Sequence, residues 1–379
     1  MIYLDYAAQT PIDPRSLEAY VRTQREFFAN PNSTHPLGLR AADRLKAECA
    51  RIKACFAGSE AYELIPLGSG SEANNLAVKG IAETYGAYGR HILTTGLEHI
   101  STGGAVTYLK AKGFETDIIP IKPDGKIDLA ALGTLIRPDT ALVSVSYADG
   151  ELGTVQPIAD IARIVGAYPA RLHVDAAQAA GKIPIALDGI DTLSFTAYKF
   201  YGPAGAAFLL RGENTVLTPL VHGGGASLYR GGTPALALIA AAATALECSL
   251  EERLARLARV GALNRGLRER LKALPGVVVN SPPDALPHIL NMSLTGFKAE
   301  AVKDALGAEG VCVSVKSACS PTGSPSKAVF AVTGDKKRAL ASFRVSLSHL
   351  TAEDDIDGFV SALQRVRDAL VAGGRYGKL

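Results

Sequence analysis

Strand-like apolar runs alternate with helical patterns along most of the chain. Residues 63–67 read as a strand before a helix over 74–85, 91–95 as a strand before 102–112, and 140–146 as a strand before 158–168. This alternation predicts parallel strands joined by crossover helices, an α/β arrangement. Near residue 236 the character changes to one long helical stretch, rich in alanine, leucine, arginine and glutamate, that runs to about 274 and is suited to bridging two domains. Shorter signals follow over 289–293, 299–306, 343–348 and 354–370, and they predict a smaller α+β domain.

Size agrees with two cores, since 379 residues with 47% apolar positions can bury both. A formal net charge of +3 is spread along the chain without a basic tract, which argues against nucleic acid as a partner and for a small charged substrate. The opening Met1-Ile2-Tyr3-Leu4-Asp5-Tyr6 lacks a basic region followed by an apolar core, and the apolar stretch 235–246 is too short to cross a bilayer. The expectation is a soluble, cytoplasmic protein. Five cysteines, an odd number with no CxxC pair, predict reduced thiols and no structural metal. Cys49, Cys55 and Cys248 fall in helical patterns and read as small buried hydrophobes.

Candidate chemistry centres on Lys199. It closes the apolar run Ser194-Phe195-Thr196-Ala197-Tyr198-Lys199 and precedes the turn Tyr201-Gly202-Pro203-Ala204-Gly205, while a second run, Arg171-Leu172-His173-Val174-Asp175, ends in a carboxylate. A Schiff-base lysine with an aspartate facing a pyridinium nitrogen is the pair that pyridoxal phosphate requires of its protein. Gly68-Ser69-Gly70-Ser71-Glu72-Ala73-Asn74 stands between a strand and a helix and reads either as a phosphate cradle or as an N-capped helix start. It has neither the Walker lysine nor the dinucleotide-binding glycine spacing, so a phosphate without a nucleotide remains. Gln178, three residues beyond Asp175, can address the same ligand. His99 follows a strand at the end where α/β proteins place ligands and is read as a ring-stacking, proton-moving imidazole or as a structural histidine. Arg344, in the alternating strand Ser342-Phe343-Arg344-Val345-Ser346-Leu347, suits a carboxylate or a surface ion pair. Cys319 sits among turn formers in Lys316-Ser317-Ala318-Cys319-Ser320-Pro321-Thr322-Gly323-Ser324-Pro325, a segment expected to be mobile and exposed; it is a candidate nucleophile or an accidental thiol.

Assembled in order, these segments resemble the cysteine desulfurases, pyridoxal-phosphate enzymes of the class V aminotransferase fold. The likeness also takes in Tyr3-Leu4-Asp5-Tyr6-Ala7-Ala8, Asn30-Pro31-Asn32-Ser33-Thr34-His35, His222-Gly223-Gly224-Gly225 and Arg230-Gly231-Gly232-Thr233, and so covers nearly the whole chain. It implies a type I PLP-dependent transferase fold, with a large domain over 15–250, whose mainly parallel sheet is sandwiched by helices, and a small α+β domain over 1–14 and 251–379 that carries the mobile cysteine loop. It further implies that Lys199 binds the cofactor pyridoxal 5′-phosphate covalently, Asp175 contacts its pyridine nitrogen, Gln178 its phenolic oxygen, and His99 stacks on its ring. Gly70, Ser71, Thr196 and Tyr198 would hold the phosphate, with Thr233 arriving from the partner subunit of a homodimer. Arg344 and Asn32 would bind the carboxylate of L-cysteine, and Cys319 would take its sulfur as a persulfide, leaving alanine. A sulfur-acceptor protein, an iron–sulfur scaffold or a thiolation enzyme, is then the expected partner.

Three positions depart from the family pattern. Gly150, in Asp149-Gly150-Glu151-Leu152-Gly153, stands where an asparagine is usual; Tyr198 replaces a common histidine; and Lys316 replaces a common glycine. These departures leave open a related cofactor enzyme with other chemistry, such as a carbon–sulfur or carbon–selenium lyase, an amino-acid cyclase or an aminotransferase. A non-catalytic relative that binds a partner is the remaining alternative.

Overall fold

A computed structural model describes residues 1–225, 227–315 and 323–373. Its main sheet has seven strands in the spatial order Tyr62–Leu67, Ala207–Gly212, Thr192–Thr196, Arg171–Asp175, Thr140–Ser146, His91–Thr95 and Glu115–Ile119. The last five are parallel, as the strand and helix alternation predicts. Ala207–Gly212 runs antiparallel to both of its neighbours. The reason is local, because the tight turn after Lys199 sends the chain straight back along its own strand, leaving no length for a crossover helix. Residues of Thr140–Ser146 are all buried, as expected for a central strand with helices on both faces.

The core on this sheet gathers residues from Ala41 to Leu246, including Leu93, Val143, Val174, Phe195 and Phe208. Helix Gly70–Tyr85 seals one face with Ala73, Leu76, Ala77 and Ile81, all essentially inaccessible to solvent. A separate core joins Leu4 to residues between Val260 and Val366 around the antiparallel strands Val277–Val279, Ile289–Leu294 and Ser342–Ser346.

The chain's first residues belong spatially to this second core. Ile2–Tyr3 pairs with Val311–Cys312, and Asp5 bridges to Ser346. Beyond that bridge, residues 7 and 8 cross to the main sheet.

The long helix expected from 236 to 274 is two helices, Leu236–Glu251 and Arg253–Lys272. The break falls at Glu252, whose carboxylate is held by Arg256 at 2.7 Å and by Arg15 of the Pro14–Glu26 helix at 2.7 Å. That second helix packs along Leu236–Glu251, so the interruption lies where two helices and a cation cluster meet. Among the described residues no helix is long and apolar enough to cross a membrane.

Candidate active site at the strand ends

Lys199 lies at the end of a single 3₁₀ turn, Ala197–Lys199, directly after the Thr192–Thr196 strand. Phe200 and Gly202 both return their N–H groups to the Ala197 carbonyl, at 3.0 and 2.9 Å, which closes the turn tightly. A Cβ at Gly202 would sit 2.7 Å from the Ala197 Cβ, so this position requires glycine. Tyr201 is the one non-glycine residue with positive φ, +67°, among the described residues. It is held there from three sides. Its N–H donates to Thr10 Oγ1 at 2.8 Å, its hydroxyl meets Ser348 Oγ at 2.6 Å, and its ring lies edge-on to His349. The lysine is therefore delivered by a rigid, overdetermined turn. Its ammonium donates to the carbonyls of Ala7 at 2.5 Å and Ala8 at 2.6 Å and lies 4.8 Å from the Tyr198 ring centre.

Asp175 ends the adjacent strand, in register with Ser146 on one side and Ser194 on the other. Its Oδ1 accepts from the Ala177 N–H at 2.9 Å and its Oδ2 from Asn74 Nδ2 at 2.7 Å. Asn74 is the hub of a buried network. Its amide also donates to Ser101 Oγ at 3.0 Å, and its Oδ1 accepts from Ser194 Oγ at 2.5 Å and from His173 Nε2 at 3.3 Å. These partners assign the tautomer of His173: Nε2 carries the proton, and Nδ1 accepts from Thr192 Oγ1 at 3.0 Å. Burial keeps that imidazole neutral, holding its pKa down to about 4.

His99 caps the helix Ile100–Ala111, its Nδ1 accepting from the Ser101 N–H at 3.2 Å and lying 2.7 Å from Ser101 Oγ. The neutral ring therefore carries its proton on Nε2. Burial lowers its pKa, with the Asp175 charge opposing and Lys199 reinforcing the shift. Next to it, Glu98 accepts from Thr95 Oγ1 at 2.7 Å and from the Ser146 N–H and hydroxyl at 3.0 and 2.8 Å. Even so, burial pushes its carboxyl up to about 8.

Gly70 and Ser71 open the helix Gly70–Tyr85 behind the Ser69 cap. Their N–H groups have no intrahelical acceptor. A Cβ on residue 70 would reach to 3.6 Å from Thr196 Cγ2, so helix start and strand end face each other closely and glycine keeps the space between them open. Glu72 holds the loop, accepting from the Gly68 N–H at 2.7 Å and pairing with Arg230 at 3.2 Å. The glycine–serine loop is thus an N-capped helix start whose first N–H groups have no intrahelical acceptor.

Arg344 is 3% exposed. It donates from Nη1 to the Gly150 carbonyl at 2.7 Å and from Nη2 to Asp5 Oδ1 at 2.9 Å, while its buried Nε has no partner among the described residues. The exposed-ion-pair reading is thereby corrected: the guanidinium is enclosed and paired with a carboxylate from the chain's own start. Gln178 accepts from Lys182 Nζ at 3.0 Å and donates to the same Ala7 carbonyl that Lys199 uses. Residues 5–8 consequently touch Arg344, Gln178 and Lys199 in succession. A Cβ on Gly150 would lie 3.7 Å from Gln178 Nε2, so this position borders the same space.

Asn32 and Thr233 are exposed, and no hydrogen bond links either to the Lys199 cluster among the described residues. Asn32 takes its N–H to Asn30 Oδ1, and Asn30 approaches Thr233 Oγ1 at 3.5 Å. Lys316 and Cys319 lie outside the described residues. Cys49 and Cys55 are only partly buried against the main core, and burial still raises their thiols to about 12. Among the described residues no cluster of three or more His, Cys, Asp or Glu side chains has a metal-holding arrangement. Sequence reasoning assigned no role to Asn74 or Asp5. The available signal for Asn74 was a polar residue on the otherwise apolar helix face of Ala73, Leu76 and Ala77.

A strand-end lysine, a carboxylate on the neighbouring strand and a helix start against Thr196 thus meet at the strand ends of a mostly parallel, helix-flanked sheet. Residues 2–359 match the Aminotransferase class-V family, and the chain belongs to it. It is 35% identical over 376 residues to a protein named Cysteine desulfurase IscS from Dictyoglomus turgidum, with 97% of this chain and 95% of that one covered. It is 33% identical to the Cysteine desulfurase of Homo sapiens, over 94% of this chain and 79% of that one. Among solved structures it is similar to a NifS-like protein, with a TM-score of 0.89, 30% identity and coverage of 97% and 99%. It is also similar to SspA in complex with cysteine, with a TM-score of 0.79, 30% identity and coverage of 93% and 100%.

Proposed function

We propose that this chain is a pyridoxal 5′-phosphate-dependent cysteine desulfurase that converts L-cysteine to L-alanine and leaves the sulfur as a persulfide on Cys319 for an acceptor protein. The observation that carries this reading is the convergence on one sheet edge of Lys199, the Asp175–Asn74–His99 network and the Gly70–Thr196 gap, with the buried Arg344 reaching the same place. The names of the full-length relatives support it.

The residues present fit the cofactor. Asp175 is available to the pyridine nitrogen, Gln178 to the phenolic oxygen, and the His99 ring to the cofactor face; Gly70, Ser71, Thr196 and Tyr198 surround the space suited to phosphate, with Thr233 contributed by the partner subunit of a homodimer. When bound, pyridoxal phosphate supplies an electron sink for bond changes at the substrate carbons. Lys199 holds it and afterwards moves protons at the substrate Cα. Neutral His99 presents Nε2–H to that space. Arg344, assisted by Asn32, binds the substrate carboxylate. The Cys319 thiolate forms the new S–S bond as the substrate Cβ–S bond breaks; the electron pair remains with carbon, which takes up a proton. Cysteine and the enzyme thiol thus become alanine and an enzyme persulfide. The two separate cores support a division into 15–250 and 1–14 with 251–379, and a cytoplasmic setting fits the reduced thiols.

A second reading, a family relative acting on another amino acid, is favoured by Gly150 in place of the usual asparagine. Incubation of the purified protein with cysteine separates the two: alanine formation that requires Cys319 supports the desulfurase, and no alanine, with or without reductant, supports the relative.

A further inference from the structure

Behind the Lys199 turn, on the side away from the sheet edge, is a crevice lined by Lys182, Tyr201, Arg253, Arg256, His288 and His349. Five of these six carry or can acquire positive charge. Lys182 is 9% exposed, and its hydrogen bond is to the neutral Gln178 amide at 3.0 Å; among the described residues no carboxylate pairs with it. His288, also 9% exposed, leaves a buried Nδ1 without a partner. The carboxylates in reach, Asp13 and Glu252, already serve Arg15 and Arg256. A buried ammonium without a counter-charge is costly, and an unpaired buried ring nitrogen adds to that cost. One anion in the crevice removes both.

We propose that this crevice is a binding site for a single small inorganic anion, held by Lys182, His288 and the neighbouring arginines. The free space there, about 10 Å³, limits the occupant to one small body. The site lies behind the proposed chemistry and is joined to it through Gln178 and through Tyr201 of the Lys199 turn.

Electrostatics agree with the geometry. Burial first, then Lys199 and Arg344, lowers the Lys182 pKa to about 7. Burial, Lys182, His349 and Arg256 lower His288 to about 3. Burial and Arg256, joined by Arg259 and opposed by Glu252 and Asp13, lower His349 to about 4. Each of these groups is short of negative charge, and anion binding favours the protonated lysine. The affinity must therefore fall as pH rises and Lys182 loses its proton.

The test is thermal unfolding of the cofactor-loaded protein in sodium chloride and in sodium gluconate at equal ionic strength, at pH 6.5 and pH 9, together with anomalous scattering from crystals soaked in bromide. The expected result is a saturable rise in Tm in chloride, on the order of a few degrees at pH 6.5 and smaller at pH 9, with a bromide peak in the crevice. Lys182→Met and His288→Leu should each abolish the difference between the salts, and His288→Leu decides the matter should Lys182→Met fail to fold. Equal Tm in the two salts with no bromide peak overturns the proposal, as does a chloride effect undiminished in the folded variants.

Discussion

On the main-sheet side of the site, Asn74 spends both amide protons and its carbonyl on Asp175, Ser101, Ser194 and His173, and every one of these partners is buried. On the small-sheet side, Arg344 holds the Gly150 carbonyl and the Asp5 carboxylate and keeps an unpaired Nε. The first arrangement is closed, since its members satisfy one another and removing one leaves several orphans. The second is exchangeable, because a substrate carboxylate can replace the Asp5 carboxylate with little change in the local charge. The difference suits the two tasks proposed for them: a cofactor seat must be fixed before anything binds, whereas a substrate anchor must give up one partner to accept another.

Four substitutions sharpen or break that contrast. Lys199→Ala should lower turnover of cysteine by at least about 10³-fold and remove the cofactor's visible absorbance, since the proposed reaction uses the lysine as both tether and proton carrier. Asn74→Ala should destabilise the protein by about 1–3 kcal/mol, read as a lower denaturation midpoint at unchanged slope, because Asp175, Ser194 and His173 lose their common partner. A midpoint equal to that of the wild type would show the network to be looser than its geometry indicates. Asp5→Asn should lower KM for cysteine about fivefold, equal to about 1 kcal/mol of relieved competition for Arg344, with a smaller effect on kcat. A raised KM would instead make Asp5 a support for the arginine, and the small-sheet side would then be as closed as the other. Gly150→Asn should have the smallest effect, a decrease in KM of about twofold, because a side chain there meets Gln178 at ordinary contact distance and adds one polar group to the substrate space.

What was legible in the sequence follows the same division. Parallel strands and their crossover helices were readable because buried strands are short apolar runs with a fixed period, and the placing of Asp175, His99 and Gly70 at or just beyond strand ends was readable because each such run stops at or just before them. The antiparallel Ala207–Gly212 strand was not, since its apolar pattern is the same in either direction. The break at Glu252 escaped notice because it depends on Arg15, more than two hundred residues earlier in the chain. Asp5 and the Ala7 and Ala8 carbonyls were hidden for a related reason: a backbone acceptor has no sequence signature, and the crossing of residues 5–8 between two cores is set by tertiary packing. Local pattern exposed the proposed cofactor side, and long-range assembly made the proposed substrate side.

The most direct test of the central claim is a single-turnover reaction of the purified protein with L-cysteine in the absence of reductant, followed by alanine quantification and mass analysis of the peptide containing Cys319. The account predicts alanine in proportion to active sites, one sulfur added to that peptide, and neither product in Lys199→Ala. Alanine formed at full rate by Cys319→Ala, or no alanine from the cofactor-loaded wild type, would contradict it.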